Sequence, residues 1–206
     1  MSRSTLRRAL GAGALCLTAT STAALGPAVA DAAEVGVSAK RLNIQSGSRV
    51  TVKGRVAAPG TVKLQIQRRG RWVTLDRDRT NAAGRYVLRK RVRGAVSARA
   101  RVRTNTGATR VVGRLNVYRS ALASWYGPGL FGNKLGCGGT LTTGSIGVAN
   151  KSLPCGTKVT LRHRGRVMRV RVIDRGPYVG GREYDLTAAT ARKLGFSGHG
   201  PIQATR

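Results

Sequence analysis

Between Arg49 and Val117 apolar and polar residues alternate, and a period of two commits this stretch to half-buried β-strands. Val50, Val52, Gly54 and Val56 are apolar or small, whereas Arg49, Thr51, Lys53 and Arg55 are polar. Val62, Leu64 and Ile66 repeat the pattern, followed by Tyr86 and Leu88, then Val96, Ala98, Ala100 and Val102, then Val111, Gly113, Leu115 and Val117. Turn signals separate these runs at Ala58-Pro59-Gly60, Arg69-Gly70, Asn81-Ala82-Ala83-Gly84 and Asn105-Thr106-Gly107. Some six or seven short strands at this spacing predict an immunoglobulin-like antiparallel β-sandwich over residues 33–119.

The polar positions of those strands are mostly arginine. The chain carries 38 Lys and Arg against 7 Asp and Glu, a formal charge of +31. Residues 33–119 hold 22 of the basic residues and only three acids, Glu34, Asp76 and Asp78. Period-two geometry sets Arg99, Arg101 and Arg103 on one solvent face, with Arg85, Arg89, Arg91, Arg110 and Arg114 at outward parity on other strands. The expected result is a basic plate that adsorbs a polyanion, with Arg99, Arg101, Arg103, Arg110 and Arg114 as its contacts. The alternative is that the arginines only keep strand edges soluble and unpaired. Aromatic residues in this region are limited to Trp72, Tyr86 and Tyr118, so stacking platforms for bases are not expected and nucleic acid is a minor reading. Two His and three Cys supply little for a zinc site, and no phosphate-cradling or dinucleotide glycine fingerprint occurs. No metal and no cofactor are expected.

Residues 1–32 have the form of an export signal. Arg3, Arg7 and Arg8 precede an Ala/Leu/Gly-rich run from Ala9 to Leu25, and Ala28-Val29-Ala30 and Ala30-Asp31-Ala32 both fit signal cleavage. Leu6 and Gly11 around Arg7-Arg8 favour general export over the twin-arginine route. Neither this Ala9–Leu25 run nor any later segment is apolar enough to span a membrane, so a secreted, soluble monomer is expected after cleavage. Cleavage would remove Cys16 and leave Cys137 and Cys155 in an oxidising compartment, where one intrachain disulfide is expected. Closing that loop would contribute roughly 3 kcal/mol on the chain-entropy account.

Residues 120–206 are richer in Gly, Thr and Pro. Val159-Thr160-Leu161 and Arg166–Ile173 are predicted strands joined by a turn at His163-Arg164-Gly165. Met168, Val170 and Val172 share a parity that Asp174 continues, which brings a carboxylate off the strand on its core side. Thr187–Leu194 has helical composition, with Thr187 suited to the N-cap and Gly195 to the terminator. Four blocks then stand out: Ala123-Ser124-Trp125-Tyr126-Gly127, Asn150-Lys151-Ser152-Leu153-Pro154-Cys155-Gly156-Thr157, Val172-Ile173-Asp174-Arg175-Gly176-Pro177-Tyr178 and Tyr184-Asp185-Leu186-Thr187. In order and spacing they resemble the rare lipoprotein A family of double-psi β-barrels, over about 80 residues. The resemblance leaves residues 33–119 outside it and implies for residues 120–206 a six-stranded barrel with a short helix and a surface groove, related to expansins, so that with the sandwich the chain is expected to be all-β. It also implies a peptidoglycan context, because family members include lytic transglycosylases acting on peptide-stripped glycan.

Carried over by position, the family's catalytic Asp matches Asp174 and a second barrel Asp matches Asp185. The Glu of lytic members falls on Gly139 or Thr140, and their His on Asn150, so neither ionisable group is present here. Asp174 and Asp185 are the candidate catalytic residues; Trp125, Tyr126, Asn150, Arg175 and Tyr178 are the candidate glycan contacts. A general acid at neutral pH must keep its proton, whereas Arg175 and Arg182 beside the two carboxyls would lower their pKa values. The first reading is therefore a secreted protein that grips peptidoglycan glycan and anionic wall polymers, with at most weak cleavage. The second is a lytic transglycosylase with Asp174 as acid/base, and the third an extracellular DNA binder. The structural alternative is that Asp174 holds its turn while Asp185 precedes or caps the helix.

Overall fold

A computed structural model describes residues 34–206; the predicted export signal and Cys16 lie outside the described residues. Eight strands build the N-terminal part: β1 Val35–Arg41, β2 Asn43–Gln45, β3 Arg49–Val56, β4 Thr61–Arg68, β5 Arg71–Arg79, β6 Arg85–Arg91, β7 Val96–Thr104 and β8 Thr109–Tyr126. They form a three-stranded sheet in the order β1-β3-β6, facing a second sheet in which β5, β4, β7 and β8 pair antiparallel. The short β2 joins the second sheet parallel to β8. Between the sheets lies a core of Val50, Val52, Val62, Leu64, Ile66, Leu88, Val102 and Leu115, largely the apolar parity of the sequence.

Three departures from that parity have local causes. A bulge opposite Ala100 and Arg101 shifts β8 by one residue, so Val112 is buried and Val111 is 54% exposed, although Val111 is at the predicted inward parity. The same shift carries Arg110 away from Arg99, Arg101, Arg103 and Arg114; it pairs with Glu34 at 3.2 Å. Arg85, Arg89 and Arg91 lie on β6 in the other sheet, so the predicted plate is divided between two sheets. Finally, β5 shows no apolar alternation because two of its inward positions are acidic: Asp78 accepts a hydrogen bond from Val87 N at 2.7 Å and Asp76 from Arg89 N at 2.6 Å. These carboxylates close the edge of β6 against β5.

Where β1 and β3 cross, Tyr86 donates its buried hydroxyl to Gly36 O at 2.8 Å, and Gly54 leaves room for both. A methyl group at position 54 would overlap Gly36 O and the Tyr86 hydroxyl. Gly54→Ala is accordingly expected to cost about 1–3 kcal/mol by overpacking, measurable as a lower urea midpoint.

β8 runs for 18 residues without a break, and the predicted boundary at 119/120 falls inside it. Its second half enters a closed ring with β9 Val148–Ala149, β10 Lys158–His163, β11 Arg166–Asp174, β12 Tyr184–Thr187 and β13 Gly200–Ala204. The neighbours run β8-β13-β10-β11-β9-β12 and return from β12 to β8, giving a six-stranded barrel in which β8–β12 and β9–β11 are parallel. Its interior is Ala121, Ala123, Val159, Leu161, Val170, Leu186, Leu194 and Ile202, separate from the sandwich cluster. The helix α1, Ala188–Leu194, starts at Thr187, whose Oγ1 accepts from Thr190 N, and ends at Gly195 in the left-handed region, as the sequence predicts. All described residues belong to one compact unit.

Candidate functional site

Strands β11, β12 and β8 and the loop after β11 converge on a shallow cleft of about 260 Å³ whose walls include Tyr126, Asp174, Pro177, Tyr178, Arg182 and Asp185. Asp174 arrives at the end of β11 on the parity of Val170 and Val172, as its position in the sequence requires. Its Oδ1 accepts from Gly136 N at 2.7 Å and from Arg175 N at 2.8 Å, and no described protein donor meets Oδ2. Gly136 is what allows this approach, since a Cβ there would come within 2.9 Å of Arg175 Cγ and 3.1 Å of Asp174 Oδ1. Nothing in the local sequence singles out Gly136 as a partner of a residue 38 positions away.

Asp185 sits on β12 opposite Ser124 of β8. It does not cap the helix, a role taken by Thr187. Its Oδ1 and the Ser124 hydroxyl are buried, and neither has a partner in hydrogen-bonding geometry. Burial is the largest influence on this carboxyl and raises its pKa; the Ser124 hydroxyl and the Arg182 charge oppose it, and the Asp174 charge adds to the rise. The expectation that neighbouring arginines hold both carboxyls low therefore fails at Asp185, because ring closure between β8 and β9 buries the group. Tyr126 lies against both acids. Its buried hydroxyl has no partner in hydrogen-bonding geometry, and burial first, then the Asp174 charge, push its pKa up.

The other candidates divide. Tyr178 is 81% exposed on the cleft rim, available to a sugar face. Trp125, 38% exposed, alternates with Tyr126 along β8, shares the parity of Ala121 and Ala123, and does not line the cleft. Asn150 is buried: its Nδ2 donates to Glu183 O at 2.9 Å, and its Oδ1 accepts from Ser152 N at 3.1 Å and Leu153 N at 2.8 Å. Arg175 turns its guanidinium away from the carboxylates. Its Nη1 donates to Asn150 O at 2.9 Å and Leu153 O at 2.8 Å, and its Nη2 reaches Cys155 Sγ at 2.8 Å. Asn150 and Arg175 thus fasten the loop behind the cleft, and the Cys137–Cys155 disulfide ties that loop to the turn bearing Gly136. Gly139 and Thr140 are exposed and outside the cleft. Among the described residues no group of three or more His, Cys, Asp or Glu is placed to hold a metal ion.

Of the basic candidates, Arg99, Arg101, Arg103 and Arg114 share the outer face of the second sheet, with Arg99 directly opposite Arg114 and Arg103 opposite Lys63. Arg101 stacks 4.1 Å above the Trp72 ring and donates its Nε to Gln65 Oε1 at 2.9 Å.

The family described as lytic transglycolase matches residues 119–205. Similar proteins include a probable endolytic peptidoglycan transglycosylase RlpA from Synechocystis, 40% identical over 84 residues, which are 40% of this chain and 26% of that protein. The endolytic peptidoglycan transglycosylase RlpA of Campylobacter jejuni is 41% identical over 86 residues, 40% of this chain and 31% of that protein. A probable RlpA of Aquifex aeolicus is 40% identical over 87 residues, 41% and 38% of the two chains. The match thus spans about a quarter to two fifths of these relatives, and the family match at residues 119–205 covers the ring of strands that carries Asp174 and Asp185. Residues 119–205 are thus an RlpA-like double-psi β-barrel.

Proposed function

We propose that the protein is exported by its first 32 residues and acts on peptidoglycan, taking a glycan strand into the Asp174/Asp185 cleft and cutting it slowly by lytic transglycosylation. The observation that carries this reading is the half-buried Asp185, whose raised pKa suits it to keep a proton beside a second carboxyl. In this scheme Asp185 protonates the glycosidic oxygen as that bond breaks. The same carboxylate then takes the proton of the sugar hydroxyl that attacks the anomeric carbon to close the anhydro ring, and so regains its acid form. Asp174 faces the positive charge that develops at the anomeric carbon. These roles differ from the assignment of acid/base to Asp174, because burial is the dominant influence at Asp185. Tyr178 supplies a rim surface for a sugar ring.

A second reading, binding with no turnover, is favoured by the absence of an acid at Gly139 and Thr140 and by the commitment of the Asn150 amide to main-chain groups. Digestion of peptide-stripped glycan separates the two. Wild-type protein is expected to release anhydro-sugar products, and Asp174→Asn to release fewer while sedimenting with the glycan as before. Absence of anhydro products from the wild type at every pH between about 4 and 8 rejects cleavage and leaves the binding reading.

A further inference from the structure

The described residues contain six acids, and each is accounted for away from one broad surface. Glu34 pairs with Arg110 and Glu183 with Arg119. Asp76 and Asp78 accept from the main chain of β6, and Asp174 and Asp185 belong to the cleft. None of these six carboxylates forms an ion pair with Arg68, Arg71, Arg114, Arg169 or Arg206, where sandwich and barrel meet. There a cleft of about 690 Å³ has Arg68, Arg69 and Arg71 of the β4–β5 hairpin on one side, Arg206 on another, and Ser97 in its lining.

Ser97 gathers groups from both cores. Arg114 of β8 directs Nη1 at Ser97 O at 3.5 Å, and Arg169 of β11 donates Nη1 to Ser97 Oγ at 2.8 Å. The same hydroxyl donates to Asn116 Oδ1 at 2.7 Å and lies 3.2 Å from Thr160 Oγ1. On the barrel side Arg171 stands opposite Lys158, and on the sandwich side Arg99 stands opposite Arg114, both like-charge pairs that oppose folding. The Arg169 pKa is lowered, by partial burial first and then by the charges of Arg114, Arg206 and Arg171. A bound anion would relieve this repulsion.

We infer that the seam between sandwich and barrel is a binding site for a linear polyol phosphodiester, held by Arg114 and Arg169 at Ser97 with Arg68, Arg71 and Arg206 along the cleft. The chemistry favours phosphate over carboxylate. A carboxylate is satisfied in one plane by a single guanidinium fork, whereas tetrahedral phosphate oxygens accept from several guanidiniums at once, and these are contributed by β8, β11 and the β4–β5 hairpin. A nucleic acid is disfavoured because the aromatic ring on the adjoining face, Trp72, is covered by Arg101 and leaves no stacking platform. This inference extends the reading of the sandwich as a polyanion-binding face and is independent of the carboxyl cleft.

The test titrates the full chain with poly(glycerol phosphate), with polyglutamate and with oligothymidylate of matched charge, across a salt series. Poly(glycerol phosphate) is expected to bind tightest. Arg114→Gln/Arg169→Gln is expected to weaken that binding by about tenfold or more and to flatten the salt slope by about two. Arg49→Gln/Arg89→Gln, a charge-matched pair on the other sheet, is expected to lose less than about threefold. Should the first pair fail to fold, Arg68→Gln/Arg71→Gln on the opposite wall gives the same comparison. Equal losses from the seam and control pairs, or tighter binding of polyglutamate or oligothymidylate, overturn the assignment. None of these polymers contains glycan, so the result is separable from the digestion of peptidoglycan.

Discussion

Replacing Cys137 and Cys155 together by alanine is expected to lower the stability of the protein by about 3 kcal/mol, a fall of about 10 °C in the thermal midpoint. The bond closes a loop of 18 residues. That loop carries the carbonyls of Asn150 and Leu153 that hold the Arg175 guanidinium, while residue 136, next to one end of the bridge, donates to Asp174. Opening the bridge releases the chain-entropy constraint and loosens both sets of bonds at once. Calorimetry of the wild type with and without reductant, and of the double variant without it, provides the check. Reduced wild type and double variant should coincide below the oxidised protein, and the reduced protein should lose glycan binding in the same step. An unchanged midpoint on reduction would remove the disulfide from the support of the cleft.

How much of this was legible in the sequence depends on the range of the interaction involved. The apolar faces of β3, β4, β6 and β7 follow from period two, because each strand packs on a continuous core whose demand is the same at every second residue. The Thr187 cap and the Gly195 stop were equally legible, each being a bond within a few residues of itself. Strand β5 was hidden because its inward Asp76 and Asp78 serve β6 N–H groups, a pairing that exists only once the sheets face each other. The bulge in β8 was hidden for a like reason, and with it the exile of Arg110 from the basic face. In the cleft, the strand parity of Val170 and Val172 accounts for the position of Asp174. Arg175 misled, since adjacency suggests a charge pair with Asp174, whereas its guanidinium meets carbonyls contributed from residues 150 and 153. The burial of Asp185 is likewise a product of ring closure between β8, β12 and β9, and no local pattern contains it.

That burial yields the second large effect, in which Asp185→Asn moves stability and turnover in opposite directions. The carboxyl is raised above its ordinary value of 3.8 by desolvation, so the folded chain holds this proton more tightly than the unfolded chain does. Its contribution to stability is therefore complete below pH 3.8 and is lost as pH rises from there through the folded value. The asparagine variant carries no charge to desolvate. It should be more stable than the wild type at neutral pH by about 1 kcal/mol, a modest figure because the group is only half-buried and partly screened by water. The gain should vanish as pH falls to about 4. Turnover on peptide-stripped glycan should drop by about 10²- to 10⁴-fold, because the amide neither gives nor takes the proton. Urea midpoints between about pH 4 and 7.5, measured beside product release, read both effects. A variant less stable than the wild type across that range, with undiminished product, would make Asp185 a structural residue and return the acid/base role to Asp174. A variant that is more stable and inactive would mean that the fold tolerates a desolvated carboxyl at this position, at a cost to its own stability, because the reaction needs the proton there.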